Sequence, residues 1–79
     1  MVDNQETSGA NSTELLTANG LARALKVSVR QVWKMLSRGD LPSPIKLGRS
    51  VRWRSAEIAR WLDAGAPTRE LWEQLKKAG

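Results

Sequence analysis

Residues Ser28 to Gly39, S-V-R-Q-V-W-K-M-L-S-R-G, have the pattern of one short helix with a signal at each end. Ser28 is a good N-cap, because its hydroxyl can accept a hydrogen bond from a free amide of the first turn. Gly39 suits the left-handed residue that ends a helix, and the prolines that follow prevent the helix from restarting. The helical period separates an apolar face from a polar one. The apolar face holds Val29, Val32, Trp33, Met35 and Leu36, and the polar face holds Arg30, Gln31, Lys34, Ser37 and Arg38.

The polar face of this helix carries three cations and no acid. Arg30, Lys34 and Arg38 repeat at i,i+4, and like charges at that spacing destabilise a helix. Arg and Gln near a helix N-terminus are also side chains that bind base edges in the DNA major groove. Taken alone, the segment fits a DNA recognition helix and a solvated surface helix equally well, and the rest of the chain has to decide.

Composition restricts the classes of function. The 79 residues hold 13 Lys and Arg against 8 Asp and Glu, and residues 14–60 alone carry ten cations and three acids. Such a concentration of positive charge is typical of polyanion binding. The chain has no Cys and no His, which excludes disulfides, the usual zinc sites and Ser-His or Cys-His nucleophiles. We therefore expect no catalytic residue, metal, cofactor or small-molecule ligand.

The ends of the chain and its hydropathy indicate where it works. Residues 1–13 are polar and aperiodic, so they cannot bury enough apolar area to offset the entropy of ordering, and we expect a disordered tail. No apolar run approaches the ~20 residues of a membrane span, and no signal peptide is evident. We expect a cytoplasmic, nucleoid-associated protein with no membrane partner.

A second short helix is predicted just before Ser28. Thr17 is a plausible N-cap for a helix over residues 18–25, which leaves only three residues, from Lys26 to Ser28, between the two helices. Helices joined by so tight a turn cross at a steep angle, as in a helix-turn-helix. The alternative is an ordinary helical hairpin in a small bundle, and we favour the DNA-binding arrangement.

A proline-containing loop is followed by I-K-L-G-R-S-V-R-W-R, Ile45 to Arg54, which has the pattern of a β-hairpin. A three-residue loop, Gly48 to Ser50, would put all four apolar residues on one side, whereas a two-residue loop, Gly48-Arg49, would mix them with charges. We therefore expect the three-residue loop. The expected cross-strand pairs are Leu47 with Val51, Ile45 with Trp53, and Lys46 with Arg52.

The expected register sets like charges opposite each other on the outer face, which is destabilising. A local rule broken without compensation is more often functional than accidental. A hairpin with a cationic face and tip would sit against a phosphate backbone or in a minor groove, as a wing. The alternative is a basic edge that blocks aggregation. The wing would present Lys46, Arg49, Ser50, Arg52 and Arg54.

Two more helices complete the expected fold. Ser55 is the expected N-cap of a helix that runs to about Ala64. Residues 68–78 are amphipathic but too short to be stable alone, so this helix either packs back on the domain or offers an apolar strip to a second copy or to an integrase. The apolar strip consists of Leu71, Trp72, Leu75 and Ala78, with Arg69 among the residues expected outside.

The tryptophans are expected to supply most of the core volume. Trp53 and Trp61 are assigned to the core, since the chain has no Phe or Tyr to fill it. Trp33, at the edge of its apolar face, fits either the core or a base-stacking role. A purely RNA-binding chain would need an exposed aromatic platform, so RNA binding is a weaker alternative.

Residue types and spacings over residues 15–62 carry a resemblance to a known family. The matching positions are Val27-Ser28, Gly39, Leu41-Pro42, Pro44-Ile45-Lys46-Leu47-Gly48, Arg52-Trp53-Arg54, Glu57-Ile58 and Trp61-Leu62. In these the chain resembles the AlpA-like and excisionase-type proteins, small winged helix-turn-helix domains related to the MerR DNA-binding head. The resemblance implies phage- or prophage-linked DNA binding, in transcription regulation or in directing an integrase toward excision.

The resemblance also implies roles for individual residues. The helix after Ser28 would enter the major groove, and the loop from Gly48 to Ser50 would reach the neighbouring minor groove. The readers would be Arg30, Gln31 and Lys34, and the wing contacts would be Lys46, Arg49 and Arg52.

We thus expect a mainly α fold with a small β-hairpin: a winged helix-turn-helix of MerR-like type over residues 14–65, and an extra C-terminal helix over residues 66–79. Its expected function is sequence-specific binding of double-stranded DNA, with an integrase or further copies as other partners. The alternative is a protein-interaction adaptor that works through Leu71, Trp72 and Leu75, and truncation after Gly65 would separate the two. The expected DNA-binding residues are Ser28, Arg30, Gln31, Lys34, Arg38, Lys46, Arg49, Ser50, Arg52 and Arg54.

Overall fold

The computed structural model describes residues 14–78, so the expected disordered tail over residues 1–13 lies outside the described residues. Within the described range, no helix is long and apolar enough to cross a membrane. Residues 14–78 form four helices and a small antiparallel sheet. The elements are β1 Leu15–Leu16, α1 Ala18–Leu25, α2 Val29–Arg38, β2 Ile45–Leu47, β3 Ser50–Arg54, α3 Ser55–Asp63 and α4 Arg69–Ala78.

The limits predicted for α1 and α2 are confirmed, and each helix starts at a side-chain cap. The Thr17 hydroxyl accepts a hydrogen bond from the backbone N–H of Gly20, at 3.0 Å. The Ser28 hydroxyl accepts one from the N–H of Gln31, also at 3.0 Å. At the other end of α2, Gly39 adopts φ 81°, the left-handed conformation that terminates a helix at no steric cost.

The turn between α1 and α2 is as short as predicted. Lys26 adopts φ 59° and ψ 43°, and its N–H donates to the carbonyls of Ala22 and Arg23. A left-handed residue reverses the chain in one step. Val27 continues the turn with a hydrogen bond from its N–H to the Ala22 carbonyl, at 3.0 Å. The two helices are consequently joined in a helix-turn-helix, and α2 begins directly after the turn.

Within the described part of the chain, the sheet has three strands in the order β1-β3-β2, all antiparallel. The prediction of a two-stranded hairpin missed β1, where Leu16 pairs with Trp53 and Leu15 with Arg54. Directly opposite residues share a face of a sheet. Leu16 therefore lies on the core side with Trp53, and β1 occupies the edge of β3 that the hairpin leaves open.

The predicted hairpin register is wrong. Ile45 pairs with Arg52, Lys46 with Val51 and Leu47 with Ser50, which leaves the two-residue loop Gly48-Arg49. Gly48 has φ 65° and Arg49 is not in the positive-φ region, the pattern of a type II′ turn, whose twist matches that of the strands. Turn geometry thus prevails over apolar matching, and Lys46 and Arg52 do not face each other.

This register is possible because the core does not need β2. Val51 and Trp53 face inward together with Leu16, while Ile45 and Leu47 lie on the outer face beside Arg52, and Leu47 remains 51% exposed. The apolar volume under the sheet is supplied instead by the loop before β2 and by the helices. The core consists of Leu21, Ala22, Val32, Leu41, Trp53, Ile58, Trp61 and Trp72.

The three core tryptophans all use their indole N–H. Trp53 donates to the Pro42 carbonyl at 3.0 Å and Trp61 to the Pro67 carbonyl at 2.8 Å. A buried indole is costly unless its N–H has a partner. Besides preventing helix formation, these two prolines therefore supply the carbonyls that accept hydrogen bonds from the buried indoles. The assignment of Trp53 and Trp61 to the core is confirmed.

The prediction of Ser55 as the N-cap of α3 is wrong by one residue. Arg54 occupies the cap position with φ −72° and ψ 127°, and its side chain makes no capping hydrogen bond. The reason is that β3 runs directly into α3: the N–H of Ser55 donates to the Glu14 carbonyl at 2.9 Å, which ties Ser55 to the strand beside it. The extended residue before a helix is then Arg54, whose side chain cannot accept a hydrogen bond.

Of the two alternatives predicted for α4, packing on the domain and an exposed apolar strip, the structure shows the first. Trp72 is buried to 5% exposure in the core, so the predicted strip of Leu71, Trp72 and Leu75 is not one exposed surface. The placement of Arg69 on the outside is also wrong. Its guanidinium donates to the carbonyls of Leu36 at 2.8 Å and Leu41 at 3.1 Å, and its backbone N–H donates to Gly39.

Candidate nucleic-acid interface

The outward face of α2 carries the predicted cations. Arg30, Lys34 and Arg38 are all exposed, whereas Val32 on the opposite face is completely buried. The helix is held from behind by the core and at its C-terminal end by Arg69. Its polar face therefore projects from a fixed base, with three positive side chains along about two turns of helix.

Ser28 and Gln31 are placed differently from the cations. Ser28 is exposed, but its hydroxyl oxygen already caps α2, so it can still contact a ligand only as a donor or through its second lone pair. Gln31 is half-buried, on the edge of the polar face. The structure brings both residues to the N-terminal end of α2 beside Arg30, and their roles toward DNA stay predictions.

The hairpin carries the second group of predicted residues. Lys46, Arg49, Ser50 and Arg54 are exposed. Arg52 is half-buried, and its guanidinium donates to the carbonyl of the preceding Val51 at 2.8 Å. By the observed register Arg52 and Arg54 project from the outer face, Lys46 belongs to the other face, and Arg49 lies at the tip.

An open cleft separates α2 from the hairpin. Its volume is about 370 Å³, and it is bounded by the starts of α1 and α2 on one side and by residues 49–52 on the other. Trp33, which the sequence left between two roles, forms part of its wall and is 44% exposed. The predicted DNA-binding residues thus form two groups, one on α2 and one on the hairpin, with this cleft between them.

Acidic partners are absent from both groups within residues 14–78. The ion pairs in that range involve Lys76 alone, which contacts Glu57 at 2.7 Å and Glu73 at 3.4 Å. Both lie on the α3–α4 side. The cations of α2 and of the hairpin therefore repel one another without internal compensation, which is the electrostatic pattern of a polyanion-binding surface.

Comparison with known families accounts for the same part of the chain. The family model described as "Helix-turn-helix domain" matches residues 15–66, from β1 to just past α3. The chain belongs to the helix-turn-helix domain family. The match includes both helices of the observed helix-turn-helix and the whole sheet, so the protein is a small helix-turn-helix DNA-binding domain whose partner is double-stranded DNA. No curated protein and no solved structure matches the chain.

Helix α4 lies beyond the residues matched by the helix-turn-helix family, yet it joins the same core. Its contact with α3 is centred on Glu57, whose carboxylate accepts hydrogen bonds from the Trp72 indole at 2.9 Å and from Lys76 at 2.7 Å. Burial raises the pKa of Glu57, but those hydrogen bonds and the charges of Lys76 and Arg60 outweigh it, and the pKa lies below its ordinary value. The hydrogen bond to Glu57 raises the pKa of Lys76.

The sequence left the position of Trp33 open and placed Arg69 wrongly on the outside of α4. Trp33 lies at the edge of the apolar face of α2, and from that position the sequence could not decide between the core and an exposed site. Arg69 has no local signal at all, because its side-chain acceptors lie 28 and 33 residues earlier in the chain. A cation in the first turn of a helix is normally unfavourable, and Arg69 is explained only by the C-terminal end of α2, where the helix dipole favours positive charge.

Proposed function

We propose that this helix-turn-helix domain is a sequence-specific, non-catalytic DNA-binding protein of winged type. In this role α2 lies in the major groove, and the hairpin serves as the wing on the backbone or in the minor groove. The observation that carries the proposal is the outward face of α2, where Arg30, Lys34 and Arg38 are exposed without an acidic partner in the described chain. A helix with this surface is destabilised by its own charges until a polyanion neutralises them.

Readout is assigned to the N-terminal half of α2. Arg30 is exposed there, and Gln31 is half-buried beside it, so Arg30 is the better placed of the two to reach a guanine edge. An Arg bound bidentately to guanine contributes about 1–3 kcal/mol of discrimination against other bases. Gln31, which is half-buried at the edge of the polar face, would contact the base pair next to the one that Arg30 binds.

Anchoring is assigned to the wing and to the cations at the end of α2. Arg49, at the loop tip, is exposed, whereas the Arg52 guanidinium is already engaged with the Val51 carbonyl. Arg49 therefore has more of its N–H donors available for a phosphate than Arg52 has. Contacts to phosphates set orientation and affinity but carry no sequence information.

The biological role that fits best is regulation of transcription or of excision by a phage- or prophage-type protein acting in the cytoplasm at the nucleoid. This rests on the resemblance over residues 15–62, and an integrase or further copies on DNA are the proposed protein partners. An adaptor role through the C-terminal helix is less favoured, because Trp72, the largest member of its apolar strip, is in the core. Leu71 and Leu75 remain exposed on α4.

The test is fluorescence anisotropy of the full chain against a random pool of duplex DNA, from about 50 to 200 mM salt. Duplex binding that weakens steeply with salt is expected, with a non-specific dissociation constant of about 10⁻⁴–10⁻⁶ M. Selection from the pool then yields the preferred site. Absence of duplex binding at low salt, with binding to single-stranded RNA instead, would refute the proposal.

Variants sharpen this test. Arg49→Ala should weaken binding about equally on all duplexes and lower the salt slope by about one. Arg30→Ala should instead relax specificity at one or two base pairs. Lys77→Ala is the matched control, since Lys77 is an exposed cation on α4, outside both groups, and it should change neither property. Equal effects of Arg49→Ala and Lys77→Ala would show that only net charge matters.

A further inference from the structure

Trp33 differs from the other tryptophans in exposure and in its indole N–H. Trp53, Trp61 and Trp72 are at most 5% exposed, and each donates its N–H to an oxygen of the protein. Trp33 is 44% exposed, and its N–H has no acceptor among residues 14–78. Exposure of a large apolar residue is common. What sets Trp33 apart is an unpaired donor next to cations.

The cleft beside Trp33 has a composition suited to one kind of ligand. The hairpin contributes Arg49, Ser50 and Arg52, and α1 contributes Asn19. None of the lining residues is acidic. The cleft, of about 370 Å³, thus places the Trp33 indole beside Arg49 and Arg52, and the Arg52 guanidinium is already hydrogen-bonded to the Val51 carbonyl. An anion with an adjoining apolar part would satisfy all of these groups at once.

The position of the indole indicates which part of DNA it would meet. Trp33 adjoins Arg30 and Ser37 on the helix surface, at i−3 and i+4, so it borders the cationic face. On its inner side its ring centroid lies 6.4 Å from that of Trp53, with the planes at 53°, which supports the ring from behind. If α2 lies in the major groove and the hairpin on the minor-groove side, one sugar-phosphate strand has to pass between them.

We propose that this cleft binds one sugar-phosphate segment of the DNA duplex. The Trp33 ring lies against the deoxyribose, its N–H donates to a phosphate oxygen, and Arg49 faces the same phosphate. The inference rests on the proposed duplex binding and extends it by a residue and a cleft outside the predicted site. Because the contact is with the backbone, it raises affinity without reading sequence.

Intrinsic fluorescence tests the contact in the unmodified protein. Trp33 is the exposed tryptophan of the four, so acrylamide should quench its fluorescence preferentially. The quenching that is present in the original chain and absent from Trp33→Phe is the contribution of Trp33. Saturation with duplex is expected to lower the acrylamide quenching of Trp33 at least about twofold, because acrylamide cannot reach a ring that is packed on deoxyribose. Binding is followed in parallel by anisotropy of a labelled duplex.

Affinity of the Trp33→Phe variant gives a second, independent readout. Loss of one indole hydrogen bond should weaken binding about three- to tenfold, by the same factor on the selected site and on random duplex. The salt slope should stay unchanged, because no charge is removed. Leu62→Ala is the matched control: Leu62 is equally exposed, at 44%, but lies on α3 outside the cleft, and its affinity should equal that of the original chain.

The outcomes separate this inference from the proposed function. Shielding of Trp33 with a uniform loss in Trp33→Phe supports the cleft. Duplex binding without any change in Trp33 quenching overturns the cleft and leaves the proposed function standing. A loss confined to particular base pairs overturns the backbone contact and assigns Trp33 to base readout. Absence of duplex binding overturns both.

Discussion

Replacing Arg69 by Ala removes the two guanidinium hydrogen bonds that join α4 to the end of α2. The bond to the Leu36 carbonyl is 2.8 Å and the bond to the Leu41 carbonyl is 3.1 Å. A hydrogen bond from a charged donor contributes about 1.5–3 kcal/mol. The Leu36 carbonyl keeps a second donor, the N–H of Gly39 at 3.2 Å, so only part of the stabilisation is lost at that carbonyl. The expected loss in the free energy of unfolding for both bonds together is about 2–3 kcal/mol.

The assay is thermal and urea unfolding followed by circular dichroism. For a domain of this size about 1 kcal/mol shifts Tm by roughly 4–8 °C, so Arg69→Ala should lower Tm by roughly 10–20 °C. Arg69→Lys keeps the charge but cannot span both carbonyls, and an intermediate loss is expected. Lys76 belongs to an ion pair, so exposed Lys77→Ala is the control on the same helix. A change below about 0.5 kcal/mol for Arg69→Ala, the range of ordinary surface substitutions, would refute the reasoning.

Three other perturbations follow from local geometry. The lowered pKa of Glu57 means that its carboxylate stabilises the fold above the ordinary pKa, 4.5, and that this stability is lost as pH falls through the folded-state pKa; the Tm gap between the original chain and Glu57→Gln should therefore close on acidification. Ala66 has φ 54°, so Ala66→Gly should stabilise by about 0.5–1 kcal/mol in urea unfolding. Ser28→Ala removes the cap of α2 and should cost about 1 kcal/mol in the same assay.

Each of these has a control within the chain. Glu73→Gln affects a more exposed pair with the same Lys76, at 3.4 Å, and should change Tm little. Ala64 has φ −83°, so Ala64→Gly should destabilise where Ala66→Gly stabilises. Ser37→Ala, inside α2 and exposed, should change stability little. A constant Glu57→Gln gap, or equal signs at Ala64 and Ala66, would contradict the corresponding argument.

The features that could be predicted from the sequence are those encoded by neighbouring residues. The limits of α1 and α2 follow from Thr17, Ser28 and Gly39, which act on amides and dihedral angles within one turn. The cationic face of α2 follows from its period. Each of these signals is complete within about four residues, and no distant contact overrides it.

The features that could not be predicted depend on residues far apart in the chain. The predicted hairpin register placed Ile45 and Leu47 inside, but Leu16 of β1 pairs with Trp53 across the opposite edge of β3 and completes the inward side of the sheet there. With the core filled from elsewhere, the turn at Gly48-Arg49 selects the register. In the observed register Lys46 and Arg52 are not opposite each other, so the argument from paired like charges no longer supports the hairpin as a DNA-binding wing. That role now rests on the exposure of its cations and on the absence of acidic partners in the described chain.

The two sides of the domain are consequently specialised in opposite ways. On the α3–α4 side, the Glu57 carboxylate is matched by Lys76 and Trp72. On the side of α2 and the hairpin, cations remain unmatched within residues 14–78. The shared core and the paired charges of the α3–α4 side stabilise the fold, which allows the side of α2 and the hairpin to keep mutually repelling charges for a ligand to neutralise.

This division decides how the competing functions have to be tested. Truncation after Gly65 would remove Trp72 from the core, and loss of a buried Trp costs about 3–5 kcal/mol, much of the stability of so small a domain. The truncated chain would lose DNA binding through unfolding, whichever function is correct. Leu71 and Leu75 are 47% and 44% exposed, so their double replacement by Ser alters the outer surface of α4 and leaves Trp72 and Arg69 in place. Retention of duplex affinity by that variant, with Tm nearly unchanged, is the result that separates a DNA-binding domain from an adaptor.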